Sequence, residues 1–373
     1  MTSWSWLKEL FGETNDEGAG LPSDMEGYAP PSRDTLAAIG ELSRAVKNNP
    51  DAIELYLALG NLYRAQGELE RAVQIRTNLI ERHDIPRDIT AKVLYELGRD
   101  YKRAGFLDRA LNALEKAREL AGNEPPILVE LARLAAEAGE FEAAADLYGK
   151  IGHAPAQAHY LVRQAVELLG KEQATEGLRL IDRALEVHPG SPEAWVETVI
   201  LDLQAGFPEG SEQHIARALH EVAPELRFLV LELMLGYLSR GTPGHESPEA
   251  RATLAGRLLS PLEAHAPDVL LQFYGGLLRQ ALGDHEGAAI WFERSLLLNP
   301  DFWPARLEML ARALAEEPVS PMLSEQLQYF VARAREVKRF MCRACGLKRE
   351  RVFYLCPRCQ SWHSIGYRMR LTE

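Results

Sequence analysis

Apolar and small residues recur at helical spacing from about residue 34 to residue 317, and the pattern copies itself along the chain. In the clearest stretch, YLALGNLYRAQGELERAVQI, Leu59, Gly60, Tyr63, Gly67 and Ala72 stand at offsets 7, 8, 11, 15 and 20 of a unit. The set returns 38 residues later as Leu97, Gly98, Tyr101, Gly105 and Ala110, and 34 residues beyond that as Leu131, Ala132, Gly139 and Ala144. This unit predicts two antiparallel helices. Small residues at offsets 8 and 20 let them approach closely, glycine at 15 closes the first, and proline near 32 ends the second. Pro50, Pro189 and Pro300 fill that last place.

Weaker units run from Leu161 to Pro189 and from Trp195 to Pro224, followed by a degenerate helical stretch around 226–264 with GTPGHESP (241–248) as a loop inside it. A better copy follows at Gly276, Gly283, Ala288 and Phe292. Residues 34–49 read as the second helix of an incomplete first repeat, and an amphipathic helix over about 321–338 ends the series. The units resemble tetratricopeptide repeats. The fold class expected is all-α, a superhelical solenoid whose neighbouring repeats bury one another's faces, with a small β module at its C-terminus.

The chain before and after this array differs in character. Residues 1–11, with Trp4, Trp6, Leu7, Leu10 and Phe11 at near-helical spacing, read as a short amphipathic head. It packs on the body or another protein, or lies in a bilayer interface as a peripheral contact. Residues 12–33, rich in Gly, Pro and acidic residues, read as a tether, which places the repeat array at 34–338 and a separate module at 339–373. No apolar run reaches the length of a membrane span and no secretory signal is legible, so a reducing cytoplasm is the expected location, and a head lying in a bilayer interface would make any membrane attachment peripheral. Charge is uneven: from Lys338 onward nine Lys or Arg face two Asp or Glu, a balance of +7 that leaves −19 on residues 1–337 of a total of −12.

All four cysteines of the 373-residue chain fall in that basic tail, as Cys342, Cys345, Cys356 and Cys359 in two C-x-x-C knuckles. This spacing presents four sulfurs to one ion, so one Zn or Fe per chain is expected, in a closed structural site rather than a catalytic one. Two disulfides or a thiol redox pair are the competing readings. Gly346 after Cys345 suits a tight knuckle turn, whereas Gln360 after Cys359 predicts a looser one. His363 is a replacement ligand only if the four-thiolate shell fails. Between the knuckles KRERVFYL has room for a hairpin, with Val352, Phe353, Tyr354 and Trp362 covering the site. The missing linker after Ala334 and the opposed charges predict a module fixed to the repeats and covering the apolar end of the array.

The inner groove of such an array is lined by offsets 5, 9, 12 and 13 of each first helix, which here include Asn61, Arg64, Tyr95, Arg99, Lys102, Arg103 and Arg133. The expectation is a basic ladder that takes an acidic peptide or a chain terminus of a protein client. Phosphate-binding G-x-x-x-x-G-K, G-x-S-x-G and H-E-x-x-H are missing, so no enzyme is expected. The basic ribbon with Phe353, Tyr354 and Trp362 also permits nucleic-acid contact, as a second reading.

LGNLYRAQGELERA and LGRDYKRAGFLDRA, joined to FMCRACGLKRERVFYLCPRCQSWHS, resemble the bacterial lipopolysaccharide assembly protein B family over about residues 34–373. The resemblance implies a non-enzymatic cytoplasmic adaptor with a rubredoxin-like module on Cys342, Cys345, Cys356 and Cys359. It implies as partners a membrane AAA+ protease and the deacetylase that commits lipid A precursors, whose degradation the family promotes. The family carries an N-terminal membrane helix where this chain has its Trp-rich head and tether. The oligomeric state stays open.

Overall fold

The computed structural model describes residues 33–82, 85–171, 173–240, 247–316 and 319–370, so the head (1–11) and nearly all of the tether (12–33) lie outside the described residues. The chain divides into two compact units, one ending at Tyr160 and the other running from Leu161 to Glu373.

The first unit opens with α1 (Arg33–Asn48), the expected lone second helix, followed by helix pairs α2 (Ile53–Ala65) and α3 (Leu69–Ile80), α4 (Arg87–Arg103) and α5 (Leu107–Ala121), and α6 (Pro125–Glu137) and α7 (Phe141–Ile151). Next comes α8 (Ala154–Gly170), during which the first unit gives way to the second. The first helix of each pair ends the same way. Gly67, Gly105 and Gly139 take φ of 81°, 79° and 81°, and the next residue's N–H reaches back five residues, as from Glu68 to the Tyr63 carbonyl (2.9 Å), Phe106 to Tyr101 (2.9 Å) and Glu140 to Ala135 (2.8 Å). That is the Schellman closure, which reverses the chain without a clash because glycine has no Cβ. Close approach explains offset 8. A Cβ on Gly98 would lie 2.6 Å from Leu114 Cγ, so the α4–α5 crossing requires glycine there. Ala110, Ala117, Leu114, Ile127 and Leu131 then bury one another between successive helices.

The second unit continues with α9 (Ala174–Val187), α10 (Pro192–Gln204), α11 (Ser211–Glu221), a short 3-10 turn at Pro224–Leu226, α12 (Arg227–Leu238), α13 (Pro248–Ala264), α14 (Val269–Ala281), α15 (His285–Leu298), α16 (Trp303–Glu316) and α17 (Pro321–Arg335). Seventeen α-helices in all are present among the described residues. The loop at 241–246 lies outside them. After α17 only Glu336 to Arg339 separate the array from β1 (Phe340–Cys342), which pairs antiparallel with β2 (Lys348–Arg349) on one side and β3 (Ile365–Tyr367) on the other. The fold is a tetratricopeptide array carrying a small three-stranded sheet.

Phe340 and Tyr367 face each other across β1 and β3. Their rings enter the repeat core: Phe340 stacks on Phe228 at 5.8 Å, and Tyr367 meets Phe228, Phe273, Tyr274 and Phe302 at 5.9 to 6.3 Å. One continuous hydrophobic core runs from Trp195 to Tyr367, with Phe340 and Ile365 fully buried in it. Ion pairs frame the contact, Arg339 to Glu232 at 3.0 Å and Arg343 to Glu225 at 3.5 Å. The contacting residues belong to, or immediately precede, the first helices α10, α12, α14 and α16. This corrects two expectations. The module covers the first-helix face of the repeats instead of the end of the array, where α17 leaves Met322, Tyr329 and Phe330 exposed. KRERVFYL forms no hairpin of its own: Lys348 and Arg349 close the first knuckle, Leu355 opens the second by bridging to Trp362, and Val352, Phe353 and Tyr354 pack against the repeat core. The reason is apolar area. A sheet with strands of two or three residues has no interior to offer those rings, whereas the repeats do.

Burial of a Phe or Ile side chain contributes about 1.5–3 kcal/mol, so Phe340 and Ile365 anchor the module strongly. Phe340→Ala is expected to destabilise the second unit by about 3–5 kcal/mol. Hydrogen exchange should rise in α12 and α14 as well as in the strands; exchange confined to residues beyond Lys338 would show the module to be independently attached.

Candidate metal centre and charged face

The two knuckles have matching geometry. The Cys342 N–H donates to the Leu347 carbonyl (2.9 Å) and the Gly346 N–H to the Cys342 carbonyl (2.9 Å); the Cys356 N–H donates to Ser361 (3.0 Å) and the Gln360 N–H to Cys356 (2.9 Å). Gly346 has φ 71° and Gln360 has φ 55°. The looser second turn expected from Gln360 is therefore not found: the side chain is accommodated in the left-handed region at a cost of about 1–2 kcal/mol, and the closing hydrogen bonds are kept.

The four Sγ atoms lie within 4.8 Å of one another, with Cys342 to Cys359 at 3.6 Å and Cys345 to Cys356 at 3.7 Å. All four thiols are free. Tetrahedral thiolates around one ion at about 2.3 Å have sulfur edges of about 3.8 Å, so the cluster fits a Zn or Fe ion. Hydrogen bonds prepare the sulfurs. Burial opposes ionisation of Cys342, but the Ser364 hydroxyl at 3.2 Å and the N–H groups of Cys345 and Ala344 outweigh it and bring the thiol down to about 6. Burial pushes Cys356 up to about 12, a proton that an incoming cation would displace. Cys359 lies 3.3 Å from Ser361 Oγ.

His363 is turned away from this cluster. Its Nε2 meets both carboxylate oxygens of buried Glu193 on α10, at 3.0 and 3.1 Å, and its ring stacks on His188 at 5.8 Å. It joins the module to the repeats. Glu193 was not singled out from sequence, because nothing local marks a carboxylate whose partner lies 170 residues away.

In the first unit six of the seven proposed groove residues, all but Arg103, belong to a network of charged and polar side chains instead of a bare ladder. Arg64 is buried and pairs with Glu96 at 2.6 Å and Asp100 at 3.1 Å. Asn61 Oδ1 accepts from Arg64 at 3.1 Å and from Arg76 at 2.5 Å. Arg76, fully buried on α3, pairs with Asp100 and occupies the space left by Gly60, whose added Cβ would lie 2.9 Å from its Nη1. Arg99 lies over the buried Tyr95 ring at 5.7 Å and 3.6 Å from Glu96. Lys102 reaches Glu130 at 3.2 Å and Glu137 at 3.3 Å, Arg133 reaches Glu130 at 2.7 Å, and Arg103 is exposed. Sequence reading missed Arg76, Glu96, Asp100 and Glu130 because each has a partner on a neighbouring helix. One signal was available: Glu at offset 6 recurs three residues before a cation in the second and third repeats, as Glu96–Arg99 and Glu130–Arg133.

Two outcomes are expected. Protein purified without chelator should carry one Zn or Fe per chain by elemental analysis, and Cys342→Ser should lose it and disorder the strands; metal-free protein would remove the assignment. In the first unit, burial would raise the Glu96 carboxyl, but Arg64, with Arg99 and Arg76, holds it down at about 2. Its stabilisation is thus complete above its ordinary value near 4.5 and lost as pH falls through about 2. Asp100, raised by burial, carries the opposite sign, so the window is read from a difference. Glu96→Gln should cost on the order of 3 kcal/mol at neutral pH, and that gap from wild type should close with acid over this range. A gap independent of pH would refute the role.

A model of the tetratricopeptide repeat family matches residues 32–75 and 95–157. Lipopolysaccharide assembly protein B of Escherichia coli K12 is 20% identical over 332 residues, 86% of this chain and 82% of that protein. The protein of the same name from Haemophilus influenzae Rd is 22% identical over 345 residues, 84% of this chain and 78% of that one. Among solved structures, a tetratricopeptide repeat protein from Parabacteroides merdae is 17% identical with a TM-score of 0.35, covering 75% of this chain and 98% of that one. Among the described residues no helix is long and apolar enough to cross a membrane. With its repeats in the first unit and its four clustered cysteines in the second, the chain is a distant homologue of the lipopolysaccharide assembly protein B family.

Proposed function

We propose that this repeat scaffold is a non-enzymatic cytoplasmic adaptor that restrains lipopolysaccharide synthesis, binding the deacetylase of the committed step of lipid A synthesis and promoting its proteolysis by a membrane AAA+ protease. The observation that carries the reading is the presence in one chain of both the repeats and the four-thiolate module, aligned with lipopolysaccharide assembly protein B over 86% of its length. In this reading residues 1–11 make a peripheral contact at the inner membrane, 12–33 tether it, 34–338 bind clients and 339–373 hold one Zn or Fe ion on Cys342, Cys345, Cys356 and Cys359. The client face is the set Asn61, Arg64, Tyr95, Arg99, Lys102, Arg103 and Arg133. Because most of its cations already face carboxylates, it selects by directed hydrogen bonds and exchange of ion pairs more than by net positive charge. The nucleic-acid reading is not favoured. Two arginines of the basic tail, Arg339 and Arg343, are engaged with Glu232 and Glu225.

Deleting the gene in its native host should lengthen the half-life of the deacetylase, and the wild-type gene but not the Cys342→Ser form should restore it. Arg103→Glu, at an exposed position, should weaken client capture with the melting temperature unchanged. Deacetylase turnover indifferent to the deletion would overturn the pathway assignment, whatever the outcome for client binding.

A further inference from the structure

The last helix of the array is apolar on both sides. Val331 is its buried residue and faces the repeats. On the outward side the helical period lines up Met322, Gln326, Tyr329 and Arg333, with Leu323 and Phe330 beside them. Four of these are large apolar side chains left to solvent: Met322 is 75% exposed, Phe330 63%, Tyr329 55% and Leu323 47%. In an array each second helix is covered by the first helix of the next repeat, and terminal repeats ordinarily carry a polar outer face. Here the array stops, the metal module has gone to the first-helix face, and the outward stripe stays apolar.

We propose that this face of α17 is the contact between two copies of the chain, paired antiparallel about a two-fold axis at Gln326. The order of residues on the stripe suits an isologous contact, in which one patch must complement itself. With the axis at Gln326, Met322 of one copy falls opposite Phe330 of the other, and Leu323 opposite Tyr329. Each aromatic ring meets an aliphatic side chain, and the Met322 sulfur meets a ring, a favourable contact. The two Gln326 amides meet on the axis, where each can donate to and accept from the other, so the polar residue at the centre of the seam fixes its register. Arg333 lies at the ends of the seam, already paired with Glu336 at 2.7 Å, so no unmatched charge enters it. Area points the same way. An aromatic side chain offers about 150–250 Å², so two half-exposed rings with Met322 and Leu323 give a patch of a few hundred Å² per copy, the size that marks interaction sites. Doubled by symmetry and extended by its polar rim, it approaches the ~1,200 Å² of a small specific interface. A membrane surface suits the stripe less well, because Glu325 and Glu336 flank it.

The test uses the full metal-loaded chain. Sedimentation equilibrium over the micromolar range should show a monomer–dimer equilibrium. Met322→Glu with Phe330→Glu should raise the dimer dissociation constant at least ~10-fold, with melting temperature and metal content unchanged because both positions are exposed. Gln326→Cys, treated with a short bis-maleimide and mapped by mass spectrometry, should give a 326–326 cross-link, while Gln328→Cys, off the seam, should not. A chain that stays monomeric across the range overturns the proposal, as does a dimer that survives the double substitution or fails to cross-link at 326. Vesicle binding by a monomer, abolished by the same double substitution, would overturn it in favour of a lipid surface.

Discussion

The pair of rings that β1 and β3 hold opposite each other, Phe340 and Tyr367, is the contact on which the C-terminal half depends. A module of some 35 residues cannot bury enough surface to hold itself together, and its strands are two and three residues long. It folds as part of something larger. Register places the rings on the face toward Phe228, Phe273 and Phe302, while Cys342, two residues along β1, sits at the metal cluster. One strand therefore joins the cysteine cluster to the repeat core. Ordering the knuckles orders the rings, and the ordered rings fill the space between the first helices of the later repeats.

The first unit adds buried charge to its apolar packing. Arg76 and Asp100 are fully buried, with Arg64, Glu96 and Asn61 closing the network between α2, α3 and α4. Desolvating so many ions adds little net stability even when each is matched. What such a network supplies is directional: guanidinium and carboxylate have fixed geometry, so the repeats cannot slide past one another as apolar surfaces can. The two units thus differ in what they add to apolar packing, buried ion pairs in the first and aromatic contacts with the cysteine module in the second.

Which of this was legible in the sequence follows from the range of each interaction. Gly67, Gly105 and Gly139 announced the turns because a Schellman closure is decided within six residues. The cysteine knuckles were legible for the same reason. Their one misreading, at Gln360, came from treating a preference for glycine as a requirement; the knuckle's own hydrogen bonds outweigh the strain of φ 55°. Long-range complementarity was hidden. Nothing near Glu193 or Glu232 tells that one awaits His363 and the other Arg339, and a periodic pattern read one helix at a time showed Arg64, Arg99 and Arg133 as cations without the carboxylates that face them.

The placement of the module changes what the repeats can offer a partner. In α10 to α16 the first-helix face, the side an array uses for extended peptides, is covered by residues of the same chain, held by buried rings, by the ion pairs Arg339–Glu232 and Arg343–Glu225, and by the His363–Glu193 hydrogen bond. That face can bind a client only by competing with the module or by using the module's own outer surface. In either case the four thiolates enter the binding equilibrium. An ion held by the four thiolates would stabilise the docked form, and by linkage a client that recognised the composite surface would favour metal retention, while one that competed for the bare face would favour its release. The sign of that coupling distinguishes a module that is part of the binding surface from one that guards it.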